Sequence, residues 1–462
     1  NIFEGEEFEA AREQLQNSID AYNEMGANKP PVLKFCVTRK ELDRKLIKAQ
    51  ELSNNIENCH DYRKSDAGGS GDLLPDEVVK LNEAVKGLRG TGTMWCTIFE
   101  DNAGGIRGTT RNLRKEQDTV WEKFLGRGET TKHGKNSLGS FGVGKFAAWN
   151  NNDTFTVFYL NTFKGKNYFI GRTMLLTYYT KESGNNGWVK KWDKDLYFGK
   201  SGKNSNGYPI ADLYPIDEVD DTGLLEAFRT LESDGLSTII PTIQRNFIKE
   251  KEWAKEIAYS IIQSFFKAFE KGLLEVVVED FYAKEKIELS KDNYQDRYKE
   301  FVSLESVKEE DDAYQYYLLK PQILGEKSSV FEKKFKVGKY KGKAKLSVYK
   351  NEELERKLDT ISTTDKRRTF RIIRENMLIR NEGFPRKTIY LEDNEYSGFV
   401  EFVGDQLNSV VKKGETKSHD KIDESNYAET RGDFPKENEV RFFYQSLSKW
   451  IKEEVDKLSG AG

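Results

Sequence analysis

The sequence predicts an α+β fold in which helices cover one face of a mixed, largely antiparallel sheet. In the first half, apolar runs of strand length alternate with segments of helical periodicity. The neighbouring runs 154–160 and 168–179 are expected to form an antiparallel pair. The second half has its own series of strand-like runs and ends in an amphipathic helix, which indicates a second layered domain.

The length of the chain also favours two domains. At 462 residues it exceeds the size at which one hydrophobic core keeps growing. We place the boundary near residue 246, so that an N-terminal domain spans 1–245 and a C-terminal domain spans 246–462. The 28 Phe and 22 Tyr residues provide large buried areas, although only 37% of the chain is hydrophobic.

Charge and cysteine content limit the possible functions. The chain has 74 basic and 77 acidic residues, a net charge of -3 that argues against a uniformly basic surface but allows local basic patches. Cys36, Cys59 and Cys96 lack zinc-like spacing, and the first and last are expected inside strands. Because no apolar stretch has membrane-spanning length and no signal peptide is visible, we expect a cytoplasmic protein without membrane partners. The first residue is not Met, which leaves open a missing N-terminal piece.

The elements of the first domain follow from periodicity and turn residues. The first helix has apolar residues every three or four positions, from Phe8 to Tyr22. After it we predict a strand over 32–38, a helix over 39–63, a helix over 75–88, a strand ending at Asp101, the antiparallel pair, an exposed insertion over 183–207 and a strand over 236–243.

The second domain is predicted in the same way. A long helix over 253–271 comes first, and a new strand system begins at 274–282. The remaining predicted elements are a hairpin over 330–349 that turns at 338–342, strands over 369–379 and 396–403, and a closing helix over 437–458.

Residues 101–106, Asp-Asn-Ala-Gly-Gly-Ile, follow directly on a buried strand. A carboxylate in this place can accept a hydrogen bond from an exocyclic amine. The glycines that follow allow close approach to the backbone, because they have no Cβ. An ordinary turn explains the same residues.

The first helix carries Glu13, Asn17 and Asp20 on a face different from the apolar one. The amide oxygen of Asn17 suits Mg²⁺, which prefers oxygen ligands. A carboxylate one turn away can orient or deprotonate a water molecule. The alternative is a solvated polar face on an amphipathic helix.

A glycine-rich segment over 139–149 leads into a predicted helix with Lys145 in its first turn. Such loops and helix N-termini attract phosphate oxygens. Residues 139–145 also match the beginning of a P-loop, but Phe146 stands where Ser or Thr would hold Mg²⁺, and no buried strand comes directly before. Lys145 either adds its charge to the phosphates or only favours the helix start.

The three segments together resemble the GHKL ATPases, which include DNA gyrase, the ninety-kilodalton heat-shock chaperones, MutL, histidine kinases and the MORC proteins. Ala103 departs from this superfamily's D-x-G-x-G pattern, since it stands at the first glycine. The superfamily also has a threonine on a strand near the adenine. Thr238 is the candidate here, with Ser237 as the alternative, because two extra residues separate Thr238 from Gly235.

The resemblance implies a Bergerat fold that binds ATP with Mg²⁺ and hydrolyses it slowly. Asp101 would accept the adenine amino group, Asn17 would bind Mg²⁺ and Glu13 would polarise the attacking water. Closure of a lid over 126–144 would exclude water and order a dimerisation surface. The nucleotide-binding residues implied are Asn17, Asp20, Asp101, Ala103, Gly105, Ile106, Gly139, Gly142, Val143, Gly144, Lys145 and Thr238.

For the second domain the resemblance implies an S5-like transducer, which sends a basic residue to the γ-phosphate. The candidates are Lys366, Arg367, Arg368 and Arg374, each with surface charge as the alternative. A fainter likeness, over 374–377, 397–400 and 419–420, points to bacterial GHKL ATPases of defence gene clusters, including MORC relatives. His419 is equally explained as a capping residue in a loop.

Three alternative functions are therefore expected. The first is an ATP-gated homodimer that serves bacterial defence or DNA transactions, with nucleic acid or an effector protein from the same gene cluster as partner. The second is a chaperone-like ATPase that acts on protein clients. The third is a non-catalytic nucleotide sensor or scaffold, although the presence of Glu13 favours catalysis.

Overall fold

The computed structural model contains two sheets with helices packed against both. It describes residues 6–65, 75–106, 148, 152, 154–175, 178–181, 188–192, 195–203, 209–212, 214–215, 223–242, 252–301, 328–350, 370–379, 396–415, 422, 424–427 and 435–460. The helices in this part of the chain are α1 (Glu6–Glu24), α2 (Ala49–Lys64), α3 (Pro75–Arg89), α4 (Gly223–Phe228), α5 (Trp253–Glu270), α6 (Tyr294–Phe301), α7 (Asp405–Gly414) and α8 (Glu437–Ser459).

The larger sheet is mixed and mostly antiparallel. Its strands run in the order β10-β4-β3-β11-β2-β1-β12-β13, and β7 pairs with β4 beside this path. Their bounds are β1 (Leu33–Leu42), β2 (Met94–Asp101), β3 (Thr156–Phe163), β4 (Lys166–Met174), β7 (Asp195–Phe198), β10 (Tyr214–Pro215), β11 (Gly235–Thr242), β12 (Leu274–Asp280) and β13 (Glu285–Leu289). Two small strand pairs accompany it, β5 (Tyr178–Lys181) with β6 (Trp188–Trp192) and β8 (Lys200–Lys203) with β9 (Pro209–Asp212).

Helices pack on both faces of this sheet, which corrects the prediction of a single covered face. On one face, α1 and α5 bury side chains such as Phe35 and Phe99. On the other, α2 and α3 share a core with Cys96 and Ile98, which point the opposite way because neighbours in a strand alternate. The central strand β2 is buried along its whole length.

The prediction that 274–282 begins a separate strand system is wrong. The strand β12 pairs in parallel with β1, and Arg39 stands opposite Asp280 in the register. Arg39 donates from Nε to Asp280 Oδ1 at 2.9 Å, and both side chains are buried, so an ion pair fixes this register. The large sheet therefore continues past the boundary expected near residue 246.

The second sheet has the order β14-β15-β18-β16-β17. Its strands are β14 (Ser329–Val337), β15 (Tyr340–Lys350), β16 (Phe370–Arg374), β17 (Met377–Leu378) and β18 (Tyr396–Val403). One face packs on α7 and α8, where residues of α8 from Val440 to Val455 are buried at helical spacing, as predicted. At one end of the other face, Phe399 packs against Phe266 of α5, with ring centroids 5.2 Å apart and the rings tilted by 41°.

Other elements differ from their predictions. The strand β1 runs to Leu42, so the following helix starts ten residues later than residue 39, at Ala49. The expected single strand over 369–379 is a hairpin, since Glu375 and Asn376 have φ of 49° and 72° and turn the chain between β16 and β17. The insertion over 183–207 contains strands β6, β7 and β8. None of the helices that the structure describes is long and apolar enough to span a bilayer.

Candidate functional site

The carboxylate of Asp101 lies at the end of β2, between helix α1 and strand β11. Ser18 of α1 donates its hydroxyl hydrogen to Asp101 Oδ2 at 2.6 Å. The other oxygen, Oδ1, accepts from the backbone amides of Ala103 at 2.9 Å and Leu236 at 3.2 Å. A carboxylate offers about four acceptor positions. These three hydrogen bonds fix the orientation of the carboxylate. Counted over the described residues, they leave one acceptor position for a further donor.

The glycines that follow Asp101 are required by the backbone. Gly104 and Gly105 have φ of +82° and +67°, a backbone conformation that residues with a side chain rarely adopt. A Cβ on Gly105 would also lie 2.2 Å from the carbonyl oxygen of Thr162. The sequence suggested that a ligand approaches these glycines, but the close approach at Gly105 is made by strand β3 of the same chain.

Asn161 of β3 anchors the segment beyond the glycines. Its Oδ1 accepts from the amide of Ile106 at 2.7 Å, and its Nδ2 donates to the Ile106 carbonyl oxygen at 2.9 Å. The adjacent Asn102 is held on the other side, where its Oδ1 accepts from the amide of Lys34 at 2.8 Å. Side chains from neighbouring strands therefore fix the path of residues 101–106.

Helix α1 is buried on nearly all sides where it passes the end of β2. Between Ala10 and Asp20, every residue other than Asn17 is buried. Glu13 is 6% exposed and lies 3.4 Å from Arg12, measured from Oε1 to the guanidinium Nη2. Asn17 precedes Ser18, which contacts Asp101, so the half-buried carboxamide is next in sequence to the residue that anchors the carboxylate.

Strand β11 presents Thr238, and not Ser237, to α1. Thr238 Oγ1 donates to Gln14 Oε1 at 3.3 Å. Ser237 points to the opposite face of the sheet, where Arg229 Nη1 donates to its Oγ at 3.3 Å. Of the two residues left open by the sequence, Thr238 is the one on the side of Asp101 and α1.

Arg229 supports the end of β2 from the opposite face. Its Nη2 donates to the Asp101 carbonyl oxygen at 3.1 Å, and its Nη1 lies 3.8 Å from Glu100 Oε1. Burial lowers the pKa of Arg229, while Glu100 and Asp101 oppose this shift. Glu100 in turn accepts from the amide of Thr230 at 2.9 Å. Arg229, Ser18 and Asn161 are not among the residues predicted from the sequence. A signal for Asn161 was its polar side chain inside an apolar strand.

Replacing Gly235 with alanine is expected to destabilise the protein, because the added Cβ would lie 1.9 Å from the carbonyl oxygen of Asp101. That oxygen belongs to a paired strand and cannot move aside as a flexible side chain would. Overpacking of this kind costs about 1–3 kcal/mol, which would lower the midpoint of denaturation by urea. Gly90→Ala is the matched control, since the nearest atom to its Cβ would be 3.2 Å away. An unchanged midpoint for Gly235→Ala would contradict this close packing.

Asp20 of α1 lies close enough to charged groups of the second sheet and its helices to shift their pKa values. Burial alone would lower the pKa of Arg374, but Glu415, Glu375 and Asp20 outweigh burial and raise it. Burial lowers the pKa of Lys412 to about 8, and Asp20 is the strongest charge opposing this shift. Asp20, Arg374 and Glu415 are fully buried. We name Asp20, Arg374, Glu375, Lys412 and Glu415 the inter-sheet charge cluster.

Arg374 is thus not a surface charge, which was the alternative to a phosphate contact. Its Nη2 donates to Glu415 Oε2 at 2.8 Å, and its Nε bonds the other carboxylate oxygen. The other basic candidates, Lys366, Arg367 and Arg368, lie outside the described residues. So does His419, and so do the predicted phosphate-loop residues Gly139, Gly142, Val143, Gly144 and Lys145.

The comparisons with known proteins found similarity among solved structures. No protein-family profile matches the sequence, and no curated protein matches it. Among solved structures, the chain is similar to the ATP-binding domain of topoisomerase IV from Francisella tularensis, determined with a small-molecule inhibitor. The identity is 9%, the similarity covers 97% of this chain and 86% of that chain, and the TM-score is 0.35. At this level the similarity does not assign a family or a function.

Proposed function

We propose that the chain binds ATP at the end of β2 and hydrolyses it slowly. The observation that carries this proposal is the position of Asp101. This residue is 7% exposed, and its carboxylate is held by Ser18 and two backbone amides and keeps capacity for one more donor. The exocyclic amine of adenine is a donor of the required kind.

The half-buried Asn17 would face the phosphates from α1. Its amide oxygen is a suitable ligand for Mg²⁺. The described residues contain no cluster of three carboxylate, His or Cys side chains that could hold a metal alone. Phosphate oxygens and water would therefore complete the coordination, and a bound Mg²⁺ would neutralise charge on the phosphates. Thr238, Asp20, Ala103, Gly105 and Ile106 would form the surrounding wall.

Glu13 is the proposed general base. It lies one turn before Asn17 on α1, so the two side chains are neighbours on the helix surface. Arg12 Nη2 lies 3.4 Å from Glu13 Oε1, and this contact would orient the carboxylate. The predicted loop from Gly139 to Lys145 would supply amides to the phosphates, and its closure would exclude water.

Glu13→Ala is expected to keep ATP binding and to lose turnover by about 10²–10⁴-fold, the usual contribution of a general base. Steady-state phosphate release and equilibrium titration with a fluorescent ATP analogue measure the two properties separately. Glu24→Ala is the matched control, because Glu24 is exposed on the same helix. Unchanged turnover in the Glu13 variant would exclude Glu13 as the base. Binding without any turnover in the wild type would indicate a nucleotide sensor.

We propose further that the second sheet serves as a transducer and that the protein works as a homodimer. The inter-sheet charge cluster supports the transducer role, because Asp20 of α1 interacts electrostatically with Arg374 and Lys412 of the second sheet and its helices. Because Glu415 holds Arg374, this arginine would have to leave that pair to reach a phosphate. The role in bacterial defence stays a prediction, which the neighbouring genes would test.

A further inference from the structure

A concentration of lysines lies on the hairpin of β14 and β15, outside the proposed ATP site. In the antiparallel register, Lys334 stands opposite Lys343, and Lys336 stands opposite Lys341. All four residues are exposed. We name these four residues the basic ribbon.

In the part of the chain that the structure describes, protein covers the face of the basic ribbon at the other end of the hairpin. Tyr349 and Phe399 lie on the same face and are buried in the core that contains α5. The opposite face of the hairpin, with Phe335 and Leu346, packs on α7 and α8. The four lysines therefore extend past the packed region toward solvent.

The two facing pairs of lysines are expected to lower the stability of the folded hairpin. Like charges directly opposite each other on neighbouring strands are destabilising. Lys343 has an acidic partner, Glu332, with Nζ to Oε2 at 3.2 Å. In the part of the chain that the structure describes, Lys334, Lys336 and Lys341 form no salt bridge. The cluster also contrasts with the net charge of -3 of the whole chain.

Protection of a sheet edge does not account for the basic ribbon. The strand β14 is an edge strand, and lysines on edges prevent pairing with other chains. However, Lys343 lies in the part of β15 that is paired on both sides, opposite Lys334 of β14 and Val403 of β18. Edge protection therefore does not explain Lys343, nor why two pairs of lysines face each other across the hairpin.

We propose that the basic ribbon binds the phosphate backbone of nucleic acid without sequence specificity. Alternate residues of a strand lie about 6.8 Å apart, so each strand offers a row of two ammonium groups. A two-stranded ribbon also fits the major groove of a DNA duplex. A membrane surface fits less well, because bilayer binding uses large apolar side chains beside the charges. Among the described residues of this face, the exposed hydrophobic ones are Val330 and Val403.

The test measures binding of the full chain to a fluorescein-labelled DNA duplex by anisotropy, without ATP, over a range of salt concentrations. The ribbon variant changes all four lysines to glutamine. The matched control makes the same change in charge at four other exposed lysines, namely Lys286, Lys299, Lys449 and Lys457.

The wild type is expected to bind duplex DNA at low salt, and the ribbon variant to bind about tenfold more weakly or worse. The slope of log affinity against log salt should fall by about 3–4, since each lost phosphate contact contributes about 0.9. The control variant should stay close to the wild type. The ribbon variant should also melt at the same or a higher temperature, because the like-charge pairs are gone.

Three outcomes would overturn the proposal: no duplex binding by the wild type, equal binding by the ribbon variant, or an equal loss in the control variant. Vesicles of phosphatidylcholine with phosphatidylserine are titrated in parallel. If they bind through the ribbon while DNA does not, the surface is a membrane contact. Because ATP is omitted, a failure here leaves the proposed ATPase function untouched, and the reverse also holds.

Discussion

Asp101→Asn is expected to abolish ATP binding while the protein stays folded. The remaining Oδ1 can still accept from the amides of Ala103 and Leu236. The new amide nitrogen would face Ser18, whose hydroxyl oxygen can accept in place of donating. The hydrogen bonds of this side chain within the protein can therefore all be kept in the variant.

Adenine has no such alternative. Its exocyclic amine is a donor, and in this variant it would meet the donor nitrogen of the new carboxamide or lose its acceptor altogether. A hydrogen bond to a charged group contributes about 1.5–3 kcal/mol, and an unpaired buried group costs a similar amount. We therefore expect affinity to fall at least about a hundredfold, which corresponds to about 2.7 kcal/mol.

Calorimetric titration with ATP and Mg²⁺ would measure this loss, and thermal melting would show that the variant is folded. Asp61→Asn is the matched control, because the Asp61 side chain is 64% exposed on α2. ATP affinity equal to that of the wild type in a folded Asp101→Asn protein would exclude Asp101 as the adenine acceptor.

Glu415→Gln is expected to lower the free energy of unfolding by about 3–5 kcal/mol, the cost of leaving a buried charge without its partner. Arg374 and Glu415 are both fully buried and share two hydrogen bonds. Glu375 Oε2 lies 3.1 Å from Arg374 Nη1, but its side chain is 21% exposed. Solvent therefore screens its charge, and Glu375 replaces the lost partner of Arg374 only in part.

Urea denaturation followed by tryptophan fluorescence would measure the change. Glu437→Gln supplies the control, because it removes the exposed pair with Arg441 on α8. Such surface pairs contribute about 0–1 kcal/mol. If the two variants lost equal stability, the pair of Arg374 and Glu415 would not have the structural role that its burial indicates.

Local patterns in the sequence predicted most elements. The hairpin of β14 and β15, the helix α8 and the strand β2 follow from residue periodicity and turn residues, which are local properties. The pairing of β12 with β1 was missed because Leu274 and Leu33 are far apart in sequence, and no local pattern specifies which strand joins which. The turn at Glu375 and Asn376 was missed because its sequence lacks glycine, the usual residue at positive φ.

The site was predicted in part for the same reason. Asp101 and the polar face of α1 are visible as local patterns. The bonds from Ser18 to Asp101 and from Asn161 to the backbone of Ile106 depend on how α1 and β3 pack against β2. Glu415, which follows α7, likewise meets Arg374 only when the chain folds, whereas Glu375 is the neighbour of Arg374 in sequence.

The burial of Asp20 beside the second sheet has a mechanical consequence. Attraction between opposite charges weakens with separation, and it is strong where water is excluded. Moving α1 away from Arg374 would therefore cost part of this attraction, whereas the apolar core that α5 shares with β17 and β18 would still hold the second sheet in place. Thermodynamic reciprocity then requires that any ligand preferring one position of α1 also changes how tightly the second sheet holds its own partners.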